Sequence, residues 1–289
     1  MIAEKTTKNA EEQAIGILIE QIVFERLENL RIALEEQNVN LSEALQLIEE
    51  CRRHIYEDVI NCGLGRGGED GMHGFIAEWL EVYLGNAKKV VRGNIADMAI
   101  DNDNGVADYH IGSIAYQSKF SLRYLSLDSL IDHAKKYPEF VKDGNQYSIP
   151  KDFYARLKEI LEIAEEDPSR LTPREMTLWK KIEQLRTEGV EIDKNVHPSA
   201  YMFIDARREH VDDTLLREEH AVRDEDLRIR ENIQATHMPT IGEAAKATAI
   251  GAAFEAGTSF GLAAYEKVRN GKKIAEFTAE DWRDLGIEA

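Results

Sequence analysis

Residues 106–120 read VADYHIGSIAYQSKF and constrain the fold more than any other stretch of the chain. Two alternating runs flank Gly112-Ser113, and glycine first is what a two-residue type II′ turn prefers. Folding the runs about that turn sets Ile111 against Ile114, His110 against Ala115, Tyr109 against Tyr116, and Asp108 against Gln117. One face then gathers Asp108, His110, Gln117 and Lys119. The other carries Tyr109, Ile111, Ile114, Tyr116 and Phe120. The apolar face can cover a helix, while the polar face puts one carboxylate, one amide and one ammonium in adjacent positions.

Such a set suits metal-assisted hydrolysis of a phosphodiester. A hard divalent cation, Mg²⁺ or Mn²⁺, takes oxygen ligands, which Asp108, the Gln117 amide and the backbone carbonyl of Ser118 can offer. The cation lowers the pKa of a bound water and neutralises phosphate charge. Lys119, two residues along the same face from Gln117, can orient that water or stabilise the pentacovalent state. Residues 73–92 read as a helix with an apolar face of Phe75, Ile76, Trp79, Leu80, Tyr83 and Leu84. Its Glu78 can complete the metal shell. After Phe120 the pattern returns to helix at about 126–137, and a short strand at 146–149 ends at Pro150.

This order of parts resembles the PD-(D/E)xK nuclease superfamily over residues 73–150. The matching residues are Asp108 (in Ala107-Asp108), Gln117 and Lys119 (in Gln-Ser-Lys), and Glu78 on the upstream helix. The resemblance implies a restriction-endonuclease-like αβββαβ core and makes these four residues its site. Gln117 departs from the usual glutamate and removes one negative charge from the metal shell. His73 and His110 are added as substrate contacts. Lys88, Lys89, Arg92 and Arg123 are expected to form a local basic surface for phosphates.

Such a surface is needed because the chain carries a formal charge of -18. Nucleic-acid binding draws on lysine and arginine, and overall acidity repels DNA. The acid is concentrated in segments 11–58, 158–193 and 205–231. Residues 63–74 hold six glycines, yet neither GxxxxGK[ST] nor a preceding strand is present, so a linker or mobile loop is expected there. DNDNG at 101–105 resembles the start of a calcium loop, but the glutamate at its twelfth position is missing, so it reads as a turn.

The flanks read as helical. Residues 10–37 have helical periodicity, Asn38 and Asn40 suggest a break, and Ser42 suggests the cap of a second helix to about residue 61. Together they predict an α-hairpin. Helices are also expected at 151–166 and at 173–189, the second capped by Thr172, and over 199–235. A small-residue stripe at Ala249, Ala253, Gly257 and Gly261 predicts a close helix contact. A further helix start at 278–282 suggests that the chain continues or that its tail pairs with a partner. Cys51 and Cys62 are too few for a disulfide framework. No run of residues is long and apolar enough to span a membrane, and no signal-peptide pattern opens the chain.

The expected protein is thus a mixed α/β one, with a helical hairpin over 1–62, a nuclease-like core over 63–150 and a helical region over 151–289. Its expected activity is metal-dependent endonucleolytic cleavage, of DNA in preference to RNA. A cytoplasmic setting is expected, with self-association through the helical flanks, a regulatory protein partner and a role in phage defence. The alternatives are an inert assembly protein that keeps the nuclease fold and a toxin-type nuclease domain.

Overall fold

The computed structural model describes residues 2–61, 72–101, 105–120 and 126–237, with side chains from Gln21 onward except Ile22. The small-residue stripe, the tail, Cys62, Arg123 and most of the glycine-rich loop lie outside the described residues. By contacts the chain divides into two units, residues 1–39 with 225–289, and residues 40–224.

The expected N-terminal hairpin is not formed. A single helix, α1 (Ile2–His54), runs through Asn38 and Asn40 and ends in a π-helical turn, Ile55–Asn61. The reason lies in its buried row: Val23, Leu27, Leu30, Leu34 and Gln37 are spaced by threes and fours, and the same face resumes two turns on at Ala44, followed by Ile48, Cys51 and Ile55. The weak helix propensity of two asparagines costs well under about 2 kcal/mol in all and does not outweigh burial along that face. In the first unit, Gln37 stands in the row where an apolar residue would. Its Nε2 donates to Asp226 Oδ1 at 2.9 Å, and Arg230 binds both Asp226 and Asn38.

The second unit holds a five-stranded mixed sheet in the order β1 (Met98–Ile100), β2 (Tyr109–Ile111), β3 (Ile114–Ser118), β4 (Gln146–Ile149), β5 (Val196–Pro198). The first three strands are antiparallel, and β4 and β5 join parallel to β3. The fifth strand was not expected; it lies in the helical C-terminal region, between the helices expected at 173–189 and 199–235. The β2–β3 register is the expected one, and Gly112 has φ of 57°, which its turn position requires.

Helices α4 (Asp128–Lys136), α5 (Lys151–Glu166) and α6 (Pro173–Thr187) bury their apolar stripes with Ala115, Tyr147, Ile149 and Val196 in the largest core. Thr172 caps α6 in a reciprocal pair with Glu175, as the sequence suggests. On the other face, Tyr109 and Tyr116 pack with Val82. Val82 belongs to a run of α2 (Met72–Trp79), a π-helical stretch (Leu80–Leu84) and α3 (Gly85–Val90). In chain order these parts run α2, the π-helical stretch, α3, β1, β2, β3, α4 and β4, a mixed α/β arrangement around one sheet.

The helix expected over 199–235 begins later, as α8 (Val211–His237), after a short α7 (Ile192–Asn195) and a 3₁₀ turn at Phe203–Ala206. Residues 199–202 are held instead by carboxylates. Glu81 accepts from the Ser199 hydroxyl at 2.5 Å and the Ala200 N–H at 3.2 Å, and Asp205 accepts from the Met202 N–H at 2.8 Å.

The outer strand β1 has a side chain for a partner. Buried Asn86 donates from Nδ2 to the Met98 carbonyl at 2.8 Å and accepts from the Met98 N–H at 3.1 Å. Asn86→Ala leaves both backbone groups without these bonds and is expected to lower unfolding free energy by about 1–3 kcal/mol in urea titrations. An unchanged midpoint would show that water replaces the amide at no cost.

Candidate active site at the ends of β2 and β3

Asp108 sits between β1 and β3 and is tied to both through its backbone. Its N–H donates to the Tyr116 carbonyl at 2.8 Å, and its carbonyl accepts from the Asp101 N–H at 2.8 Å. Its carboxylate turns toward β3, where Oδ2 accepts from Gln117 Nε2 and from the Ser118 N–H at 2.7 Å. Both bonds fall on Oδ2, so Oδ1 is the oxygen left for another group. Lys119 continues β3 and fixes its backbone to β4 through a 2.8 Å bond to the Ser148 carbonyl. The site thus stands at the carboxyl ends of the parallel strands, where open α/β sheets commonly bind ligands.

Three charged groups meet there. Glu78, Asp108 and Lys119 are each half-buried; Asp108 and Lys119 both act on the Glu78 carboxyl, and both carboxylates act on the Lys119 ammonium. Burial pushes the Glu78 carboxyl well above the ordinary range, the Asp108 charge adds to this, and Lys119 opposes it. Asp108 is also raised, first by burial. Lys119 and the Ser118 and Gln117 hydrogen bonds oppose that rise, and Asp101 reinforces it. Burial lowers the Lys119 ammonium against the pull of both carboxylates. Two carboxylates therefore share one ammonium in a partly desolvated place, and the excess negative charge favours either a proton or a cation.

The donor set fits a hard cation better than a soft one. Among the described residues no three His, Cys, Asp or Glu side chains group closely enough to hold a metal ion. Any cation here would depend on Asp108 and Glu78 with neutral oxygens from Gln117, Ser118 and water. That is an oxygen shell of the kind Mg²⁺ and Mn²⁺ take, and it lacks the nitrogen and sulfur ligands of zinc sites.

The expected substrate contacts fare differently. His110 shares the Asp108 face, with Nε2 3.2 Å from Asp101 Oδ2. His73 is engaged elsewhere: its ring stacks on Phe203 at 5.2 Å. Lys88 pairs with Glu218 at 2.5 Å and lies over the Tyr201 ring. Lys89 pairs with Asp97, and Arg92 is exposed. The basic surface expected from Lys88 and Lys89 is therefore offset by carboxylates that face them.

Two residues escaped the sequence reading. Asp101, read as part of a turn, extends the β1–β2 pairing one step past Ile100↔Tyr109 and so stands across from Asp108. Continuing the alternation of β1 past Ile100 would have found it. His133 reaches the site's neighbourhood from α4, and nothing in the local sequence singles it out. Comparison with protein-family profiles, characterised proteins and solved structures gives no match to this chain.

The raised Glu78 pKa has a stability consequence. A carboxyl with a higher pKa folded than unfolded favours folding most below the unfolded value of 4.5, and that contribution is lost as pH rises through the folded value. Glu78→Gln, which keeps the shape without the charge, is expected to raise the urea midpoint at pH 7, with the gain shrinking below pH 4.5. A lower midpoint at both pH values would mark Glu78 as a structural ion-pair partner.

Proposed function

We propose that the chain is a metal-dependent nuclease with a restriction-endonuclease-like core, cutting phosphodiester bonds, with DNA as the preferred substrate. The observation that carries this reading is the juxtaposition of Asp108, Glu78 and Lys119 at one strand end, with Gln117 and Ser118 bonded to Asp108. Perturbed ionisable groups gathered in this way are more typical of reactive sites than of solvated surfaces.

Mg²⁺ or Mn²⁺, bound by Asp108 and Glu78 with the Gln117 and Ser118 oxygens, would supply an activated water and neutralise phosphate charge. The protein's own groups have separable tasks. Gln117 and the Ser118 N–H hold the Asp108 carboxylate by one oxygen and so aim the other. Lys119, the one ammonium of the set, donates to a phosphate oxygen as negative charge builds on it. Glu78 would complete the shell beside Asp108, where the positive charge of a cation offsets the cost of its buried carboxylate. The substrate must approach an acidic chain, which favours delivery by a second copy or by a protein partner over long-range steering.

One observation favours the second reading, an inert protein that keeps the site's shape. The Gln117 amide nitrogen engages Asp108, so that pair satisfies itself without a cation. Incubation with supercoiled plasmid, linear duplex and single-stranded RNA in Mg²⁺ or Mn²⁺ separates the two. Nicking that EDTA stops and that Lys119→Ala reduces about 10²–10³-fold is expected. Intact substrates throughout would leave the inert reading.

A further inference from the structure

His133 projects from α4 into a box of aromatic rings, with Tyr137, Phe140 and Tyr147 centroids at 4.7, 5.3 and 5.4 Å. Its Nε2 lies 3.1 Å from the Val106 carbonyl and its Nδ1 lies 3.0 Å from the Tyr147 hydroxyl. A carbonyl can only accept, so Nε2 carries the proton. Nδ1 then accepts, and the Tyr147 O–H donates to it. The tautomer and ring plane are thereby fixed.

Both partners belong to the frame of the site. Val106 lies two residues before Asp108, and Tyr147 is the register partner of Gln117 on β4. The histidine thus links the lead-in to β2 with the strand beyond β3, on either side of the Asp108–Gln117 pair. Burial, and then the nearby Lys119 charge, bring its pKa down to about 4, so at neutral pH it adds no positive charge beside that lysine.

We propose that His133 is a positioning residue of this site, holding the Val106–Asp108 segment in the place where Asp108 can serve a cation. The inference rests on the metal-dependent reading above. Groups hydrogen-bonded directly to metal ligands typically change metal affinity about 10–100-fold when removed; His133 acts through the backbone leading to Asp108, so the low end of that range is expected.

The test is Mn²⁺ binding to the intact chain, followed by the electron paramagnetic resonance of free Mn²⁺, beside thermal unfolding. His133→Phe keeps the ring but loses both hydrogen bonds, and is expected to weaken Mn²⁺ binding about tenfold. His133→Gln, which can still donate to Val106, recovers part of that loss. Tyr147→Phe weakens binding by less than His133→Phe. Wild-type affinity in His133→Phe, with only a lower melting temperature, would make the residue a core tie and overturn the proposal. If His133→Phe does not fold, unchanged affinity in both His133→Gln and Tyr147→Phe overturns it equally. A wild-type chain that binds no Mn²⁺ removes the metal-dependent reading itself, an outcome distinct from the other two.

Discussion

The hydrogen bond from the Ser118 N–H to Asp108 Oδ2, at 2.7 Å, is the contact on which the candidate site turns. It exists because the β2–β3 register is even about Gly112-Ser113, which brings Asp108 beside Gln117 and Ser118. A slip of one residue would send Asp108 to the opposite face, among Tyr109, Tyr116 and Val82. Sheet register, turn conformation and carboxylate orientation are therefore one constraint. The surroundings reinforce it: Asn86 holds β1, which pairs with β2, and Lys119 is bound to β4.

That constraint has an electrostatic cost. The Asp108 charge adds to the burial that raises Glu78, and burial pulls Lys119 toward its neutral form against the two carboxylates. A sequence selected for stability alone would put neutral or apolar residues at these positions, and such conflicts between local chemistry and folding are expected at functional sites. Glu81 is also raised by burial, but there the Ser199 hydroxyl and the Ala200 N–H oppose the rise by direct hydrogen bonds. It reads as a latch on the chain leaving β5 and needs no ligand.

The hairpin, α5 and the Thr172 cap were legible in the sequence because each rests on local chemistry: a turn glycine, a helical period, a side chain within one turn of its partner. The α-hairpin was misread because two asparagines outweighed a buried face that runs from Leu34 to Gln37 and resumes at Ala44. Gln37 broke the apolar pattern, and its partner Asp226 lies far along the chain. Long-range pairing also explains the other misses. Lys88 and Lys89 looked basic until Glu218 and Asp97 were brought against them, and β5 is a strand of three residues defined by its neighbour. Asp101 was within reach of the β1 alternation, whereas His133 became visible only once α4 was in place. The candidate site was half legible, in that its strand residues follow from alternation while their supports come from the fold.

Anomalous diffraction from crystals of this chain soaked in Mn²⁺ tests the central claim most directly. The account predicts a manganese peak within coordination distance of the Asp108 carboxylate and the Ser118 carbonyl, with Glu78 on the same ion or on a water bound to it. It also predicts that the peak is lost in Asp108→Asn. A saturating soak with no peak at Asp108, or with manganese only at surface carboxylates elsewhere, would contradict it.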